Sequence, residues 1–260
     1  MVAAVSSQPA VLVTGAAGWT ARATIQALVS EGFQVTGLDL RLPESYEGAA
    51  GAVHWIQGDV ADPATVQRAS RSVSAVVHLA VAVGAGEYQR PQRPFATNVV
   101  GTYNVFAAAQ QAAVSRVVLV SSAAVHLPPG PGPLSASEWR SSPGDDHLYD
   151  LTKRLQEEIA RDFCATFAMA AVVLRAGHLV DGARGVDAHG RPLAELRYAR
   201  GGWLCRHDLA RACLQALRFQ QSGYHAFHVI GSRAAWTRFD LERTERELGF
   251  RCAVSFDENR

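Results

Sequence analysis

Apolar positions along the chain fall into short unbroken runs, separated by longer stretches in which they recur every three or four residues. The runs lie at 10–14, 33–38, 53–57, 75–80, 117–121 and 171–175, and most of them lack a two-residue alternation, which predicts strands covered on both faces. The periodic stretches at 19–30, 63–71, 95–113 and 148–167 predict helices between them. Strands alternating with helical stretches describe an α/β chain with a doubly wound parallel sheet. Segment 126–144 breaks the pattern: it holds PPGPGP, runs into SSPGDD and reads as a loop at a strand's carboxyl end. After residue 175 the pattern weakens. Residues 177–202 are rich in Gly and Arg, then 208–220 reads as a helix, 225–230 as a strand and 239–248 as a last helix. We therefore expect a main domain over 1–175 and a small C-terminal cap over 176–260, continuous with it and too short for a second domain of usual size.

Composition narrows the class. The 260 residues are 48% hydrophobic and 19% charged with a formal net charge of +1, so neither a nucleic-acid nor a membrane surface is indicated. The start of the chain lacks the layout of a signal peptide, and the most apolar stretch, 75–85, is too short to span a bilayer. Four cysteines stand far apart without metal-ligand spacing; they read as thiols of a reducing compartment, and a cytoplasmic location is expected.

The first strand runs into Thr14-Gly15-Ala16-Ala17-Gly18-Trp19-Thr20-Ala21 and then a helix. Glycine lets a pyrophosphate approach the backbone, and the helix start presents N–H groups and the positive dipole end to it. Asp39 ends the second strand about twenty residues on, where a carboxylate accepts from ribose hydroxyls and repels a 2′-phosphate. Asp39 favours NAD over NADP; Arg41 beside it either reaches such a phosphate or is a solvated loop residue. Asp59, before Val60, either meets the adenine edge or simply ends a strand. His78, before Leu79 and Ala80, reads as a satisfied, half-buried residue.

Tyr149 and Lys153 are four apart on a helical pattern and so share a face. A phenol of pKa ~10 is a poor catalyst at neutral pH; a nearby ammonium and an oxidised nicotinamide favour its phenolate. Ser122 ends the fifth strand and can polarise the reacting oxygen. Its neighbour Ser121 is sent to the opposite face by alternation.

With these pieces the chain resembles the extended short-chain dehydrogenase/reductase group, the NAD-dependent epimerases and dehydratases. The resemblance rests on the Thr14–Gly18 turn, Asp39, Asp59-Val60, His78-Leu79-Ala80, Asn98 with Gly101-Thr102-Tyr103-Asn104, Val118 through Val125, Tyr149-Asp150-Leu151-Thr152-Lys153, Leu174-Arg175 and Asp208-Leu209-Ala210. It implies a Rossmann-type sheet and a catalytic set of Ser122, Tyr149 and Lys153. It implies cofactor contacts from Gly15, Ala17, Gly18, Trp19, Thr20, Asp39, Leu40, Arg41, Asp59, Val60, Leu79, Ala80, Val81, Asn98, Tyr149, Lys153 and Ala176. Substrate contacts are expected from Ser122, Ala123, His126, Arg175 and His178, and no metal is expected. Family members often dimerise through the helices here at 95–113 and 148–167. Val99, Val105, Phe106 and Ala109 form a candidate homodimer surface, which core burial explains equally well.

Departures from the family pattern refine the expectation. Ala21 replaces the third glycine of the turn. Ala123-Ala124 stand where sugar-nucleotide dehydratases carry an Asp-Glu pair, which argues against a dehydratase. Val125-His126-Leu127 replaces the usual Val-Tyr-Gly, and His126 either touches substrate or, the favoured reading, packs the loop. Only a short segment separates Arg175 from Trp203 and Asp208, where relatives acting on nucleotide sugars have a long insertion. His178 replaces an asparagine that helps hold their diphosphate. The shortened plan resembles uronate dehydrogenases, although these follow their serines with Asn-His. Arg175, His178, Arg184, Arg191, Arg197 and Arg206 are the cations available for a carboxylate on the substrate; most read as solvated surface charges, and Arg175, the first to test, either meets the substrate or anchors the tail loop. The expected activity is hydride transfer between NAD and a small alcohol or carbonyl such as a sugar acid or hydroxylated metabolite. The alternatives are an epimerase with retained NAD and a dinucleotide sensor without turnover.

Overall fold

The first apolar run forms β1 (Ala10–Thr14) and leads through a tight turn into α1 (Trp19–Ser30). In the computed structural model, which describes residues 9–43, 51–82, 86–123, 147–196 and 202–256, β2 (Gln34–Asp39), β3 (Val53–Gln57), α2 (Pro63–Ala69) and β4 (Ala75–His78) follow. The start of α2 is set locally. Asp62 accepts from the backbone N–H groups of Ala64 and Thr65, and Pro63 needs no donor partner in the first turn.

The long helix expected over 95–113 is composite. A short α3 (Gln92–Pro94) passes into a π-helical turn, Phe95–Val100, and then into α4 (Gly101–Gln111). The insertion shifts the helical phase and changes which side chains face out. Of the surface expected for a partner chain, Val105, Phe106 and Ala109 are fully buried core packing and Val99 is half-buried; Val100 and Tyr103 are exposed. Gly101 sits where a Cβ would come within 2.6 Å of Val60 Cγ2, which fixes how closely α4 approaches the end of β3.

The chain continues through β5 (Arg116–Ser122), α5 (His147–Phe167), β6 (Ala170–Ala176), β7 (His178–Val180), β8 (Trp203–Cys205), α6 (Arg206–Arg218), β9 (Gly223–Val229) and α7 (Leu241–Arg243), which runs into a π-helical turn, Thr244–Leu248. Seven parallel strands pair in the order β3-β2-β1-β4-β5-β6-β9, while β7 and β8 form a separate two-stranded ribbon.

One apolar cluster joins Val11 and Val13 to Ile25 and Leu28 of α1 and to Leu209 and Ala212 of α6. The other joins Leu12 to Val66 of α2, Phe106 of α4 and Phe163 of α5. Helices thus cover both faces, which explains strands without alternation. The strand order reverses between β1 and β4. In such sheets the crevice at the carboxyl ends of those two strands is where a ligand is held. The chain beyond Ala176 completes this sheet with β9 and covers α1 with α6.

Candidate active site

At the carboxyl end of β1, Gly15 adopts φ +68°, a backbone conformation that L side chains avoid. A Cβ there would lie 2.9 Å from both the Cα and the N of Ala80, so glycine lets the turn rest directly on the segment after β4. Leu79 N–H donates to Thr14 O (3.2 Å) and Ala80 N–H to Thr14 Oγ1 (3.3 Å). Gly18 then opens α1 without any side-chain cap, leaving the helix's first N–H groups to face the crevice. Asp39 spans the mouth of the turn: Oδ2 accepts from Ala17 N–H (3.0 Å) and Oδ1 from Arg41 N–H (3.2 Å). Gly15, Ala17, Gly18, Trp19, Thr20, Asp39, Leu40 and Arg41 therefore meet at one edge. An uncapped helix start, a turn stripped of side chains and a terminal carboxylate fit a dinucleotide's pyrophosphate and ribose.

Asp59 turns the chain after β3, accepting from Ala61 N–H at 2.9 Å, and Val60 is buried beneath Gly101. Trp19 is coupled to the far end of the chain. The Arg206 guanidinium lies 4.6 Å over its indole, donates to its carbonyl (3.3 Å) and pairs with Asp181 (2.8 Å).

His78 is fully buried, beyond the half-burial expected, and sealed between β1 and α4. Nδ1 meets Thr14 Oγ1 at 2.6 Å and Nε2 meets Thr102 Oγ1 at 2.9 Å. Thr102 gives its own proton to Asn98 O (2.5 Å), so Nε2 must donate and Nδ1 accept, which describes a neutral ring. Burial, reinforced by the Lys153 charge, pushes its pKa from 6.5 down to about 3. Because the unfolded chain takes up this proton near pH 6.5 and the folded chain only near 3, stability present above 6.5 is lost as pH falls through that window. The linked loss is about 4–5 kcal/mol at ~1.4 kcal/mol per unit. Urea unfolding between pH 7 and pH 3 is expected to show this slope in the wild type and a flatter one in His78→Asn. Equal slopes would rule out His78 as the acid-sensitive group.

Ser122 ends β5 opposite Ala176 of β6, and both are buried. On α5, Tyr149 lies one turn before Lys153, whose ammonium is buried and donates to Val120 O at 2.9 Å. Burial brings Lys153 down from 10.5 to about 8, against an opposing pull from Glu157. The structure thus brings Tyr149 and Lys153 to the end of β5 that carries Ser122, one strand beyond β4. A phenol, an ammonium and a hydroxyl so placed can exchange a proton with a substrate oxygen and polarise it.

Several expected contacts resolve differently. Arg175 points into the interior, where Nη2 meets Glu157 Oε2 at 2.7 Å and both side chains are wholly buried, so it is spent on an internal ion pair and is no substrate anchor. Ala123 is fully buried in an apolar cluster with Ile230 and Phe239. Asn98 is also fully buried. Its Oδ1 accepts from Ala82 N–H (2.8 Å) and its Nδ2 donates to Thr152 Oγ1 (2.9 Å) and Tyr88 Oη (3.2 Å), so its side chain holds protein rather than cofactor. His178 is exposed, edge-on to Trp203 with centroids 5.2 Å apart. His126 and Arg197 lie outside the described residues. Tyr88, which packs against Tyr149, and Glu157 belong to no motif by which sequence reasoning could have found them.

The model of the NAD-dependent epimerase/dehydratase family matches residues 11–196, from β1 through the segment after β7. The chain belongs to this family. A UDP-glucose 4-epimerase of Pasteurella multocida is 30% identical over 204 residues, 73% of this chain and 60% of that protein. A 2-alkyl-3-oxoalkanoate reductase of Stenotrophomonas maltophilia is 36% identical over 117 residues, 44% of this chain and 34% of that protein. The chain spans about half the length, or less, of several curated relatives it matches. Among solved structures, a uronate dehydrogenase of Agrobacterium tumefaciens complexed with NAD superposes with a TM-score of 0.76 at 20% identity, over 97% of this chain and 86% of that one. This likeness establishes the epimerase/dehydratase-type fold. Among the described residues no helix is long and apolar enough to cross a membrane, and no cluster of His, Cys, Asp or Glu could hold a metal.

Proposed function

We propose that the protein is an NAD-dependent dehydrogenase or reductase acting on a small alcohol or carbonyl, such as a sugar acid or hydroxylated metabolite. The carrying observation is Lys153 bonded to Val120 O, which ties the helix bearing Tyr149 to the strand end bearing Ser122, beside an uncapped glycine turn. In this reading Tyr149 exchanges the proton with the substrate oxygen, Lys153 favours its phenolate and holds the nicotinamide ribose, and Ser122 polarises that oxygen. Bound NAD supplies the hydride acceptor. Gly15, Ala17 and Gly18 with the start of α1 would hold its pyrophosphate, and Asp39 its adenosine ribose. The carboxylate of Asp39 supports NAD over NADP, and the similar uronate dehydrogenase, a complex with NAD, agrees. The short stretch beyond β6, with His178 against Trp203, supports a substrate without a nucleotide handle.

The test is a titration of NADH against NADPH, followed by absorbance screening of uronates, sugars and hydroxylated metabolites. NADH binding at least about tenfold tighter, a difference of ~1.4 kcal/mol, and net NADH formation on one substrate class are expected. Tighter NADPH binding would overturn the Asp39 assignment. The similarity to UDP-glucose 4-epimerases favours a second reading, an epimerase that keeps its cofactor; it predicts NAD retained through purification and no net NADH.

We also propose a homodimer through α4 and α5, supported by exposed Val100, Tyr103 and Phe167, with Tyr103 edge-on to Phe163. A sedimentation mass of two chains that falls to one in Tyr103→Glu is expected; a single-chain mass for the wild type removes the proposal. The free thiols of Cys164, Cys205, Cys213 and Cys252 support a cytoplasmic location.

A further inference from the structure

Tyr88 belongs to no expected site, yet it stands against the residue on which the proposed chemistry turns. It lies in a short 3-10 turn, Glu87–Gln89, and its ring meets that of Tyr149 at 87° with centroids 5.1 Å apart. This edge-on arrangement sets the positive rim of one ring against the negative face of the other.

The far end of the Tyr88 side chain is fixed. Its hydroxyl donates to Ala82 O at 2.7 Å and accepts from Asn98 Nδ2 at 3.2 Å. The same Nδ2 donates to Thr152 Oγ1, and Thr152 in turn donates to the carbonyl of Tyr149 (3.0 Å). Ala82 N–H closes the circuit by donating to Asn98 Oδ1. Asn98 lies in the π-helical turn, so the helical irregularity carries the residue at the centre of this network. Burial raises the Tyr88 hydroxyl above its ordinary range, which keeps it a neutral donor.

We propose that Tyr88 is a positioning residue for Tyr149: its ring, clamped by Ala82 and Asn98, holds the Tyr149 phenol in one orientation toward the crevice. This rests on the catalytic role proposed for Tyr149. A helical tyrosine has two favourable χ1 rotamers, and a fixed aromatic neighbour can leave only one of them open. The ring is therefore the working part and the hydroxyl its anchor. The circuit also ties the backbone after β4, on the dinucleotide side, to the helix that carries Tyr149 and Lys153.

The experiment compares Tyr88→Leu and Tyr88→Phe in the full chain, with melting temperature and NADH affinity measured alongside. Tyr88→Leu is expected to lower kcat roughly 10–100-fold, as for a displaced reacting group, with KM and NADH affinity changed less than about threefold. Tyr88→Phe, which keeps the ring, is expected to recover most of that loss. Equal losses in both variants, or a wild-type kcat in Tyr88→Leu, would overturn the proposal. A readout without substrate uses ring-13C tyrosine and assigns the Tyr149 signal by its loss in Tyr149→Phe. One sharp signal is expected in wild type and Tyr88→Phe, and a broadened or split one in Tyr88→Leu; an unchanged line shape overturns the positioning role. A wild-type protein without turnover would sink the catalytic reading alone, because the spectrum still decides the role of Tyr88.

Discussion

Tyr149→Phe is expected to lower turnover by about 10²–10⁴-fold while leaving NADH affinity within about threefold. The change removes one hydroxyl and keeps the ring and its edge contact with Tyr88. At ~1.36 kcal/mol per tenfold, the loss corresponds to roughly 3–5 kcal/mol of barrier. Tyr88, His78 and Lys153 are all poorly placed to substitute. Tyr88 gives its proton to Ala82 O and is held neutral by burial. His78 is locked between two threonines with its pKa near 3, and Lys153, near 8, stays largely an ammonium at neutral pH. Stopped-flow turnover on the substrate found by screening, paired with fluorescence titration of NADH, separates chemistry from binding. Turnover retained within tenfold would mean that Tyr149 is not the proton carrier. Loss of NADH binding in step with turnover would instead mark the hydroxyl as a cofactor ligand.

The sheet was legible because strands covered on both faces leave unbroken apolar runs. β1, α1 and β3 fall on their expected bounds, and the other main-sheet strands differ from theirs by a residue or two. The glycine turn was legible for a related reason: few residue types tolerate a left-handed backbone pressed against Ala80. What failed was direction. Arg175 ends a strand beside the crevice, as expected, but strand position does not tell which way a side chain points, and here a carboxylate waits inside. Val105, Phe106 and Ala109 are apolar for the core, whereas the exposed residues around the π-helical turn are Val100 and Tyr103. Asn98 matches a family motif, but sequence could not reveal that neighbouring residues occupy its amide. Tyr88 left no trace because its role arises from Ala82, Asn98 and Tyr149 meeting in space.

Glu157→Leu is expected to destabilise the protein by about 3–5 kcal/mol, through the charge it leaves behind. Both carboxylate oxygens face Arg175, with Nε at 3.2 Å from each and Nη2 at 2.7 Å from Oε2, and neither side chain reaches solvent. Tyr224 adds a third donor, its hydroxyl 3.0 Å from Oε2. Removing the carboxylate takes the paired negative charge away from a buried guanidinium, which cannot shed its proton, between α5 and β6. Removing both charges should cost far less, because the desolvation of two ions disappears with their attraction. Urea unfolding of Glu157→Leu, Arg175→Met and the double variant is therefore expected to show two large single losses and a double loss smaller than either. Additive losses would show that the pair acts through packing and not through charge. Glu157 also opposes the burial that lowers Lys153, so its loss should carry the Lys153 ammonium further below 8. The arginine expected at the substrate thus reaches the proposed chemistry only indirectly, through its partner Glu157 and the lysine one turn up the same helix.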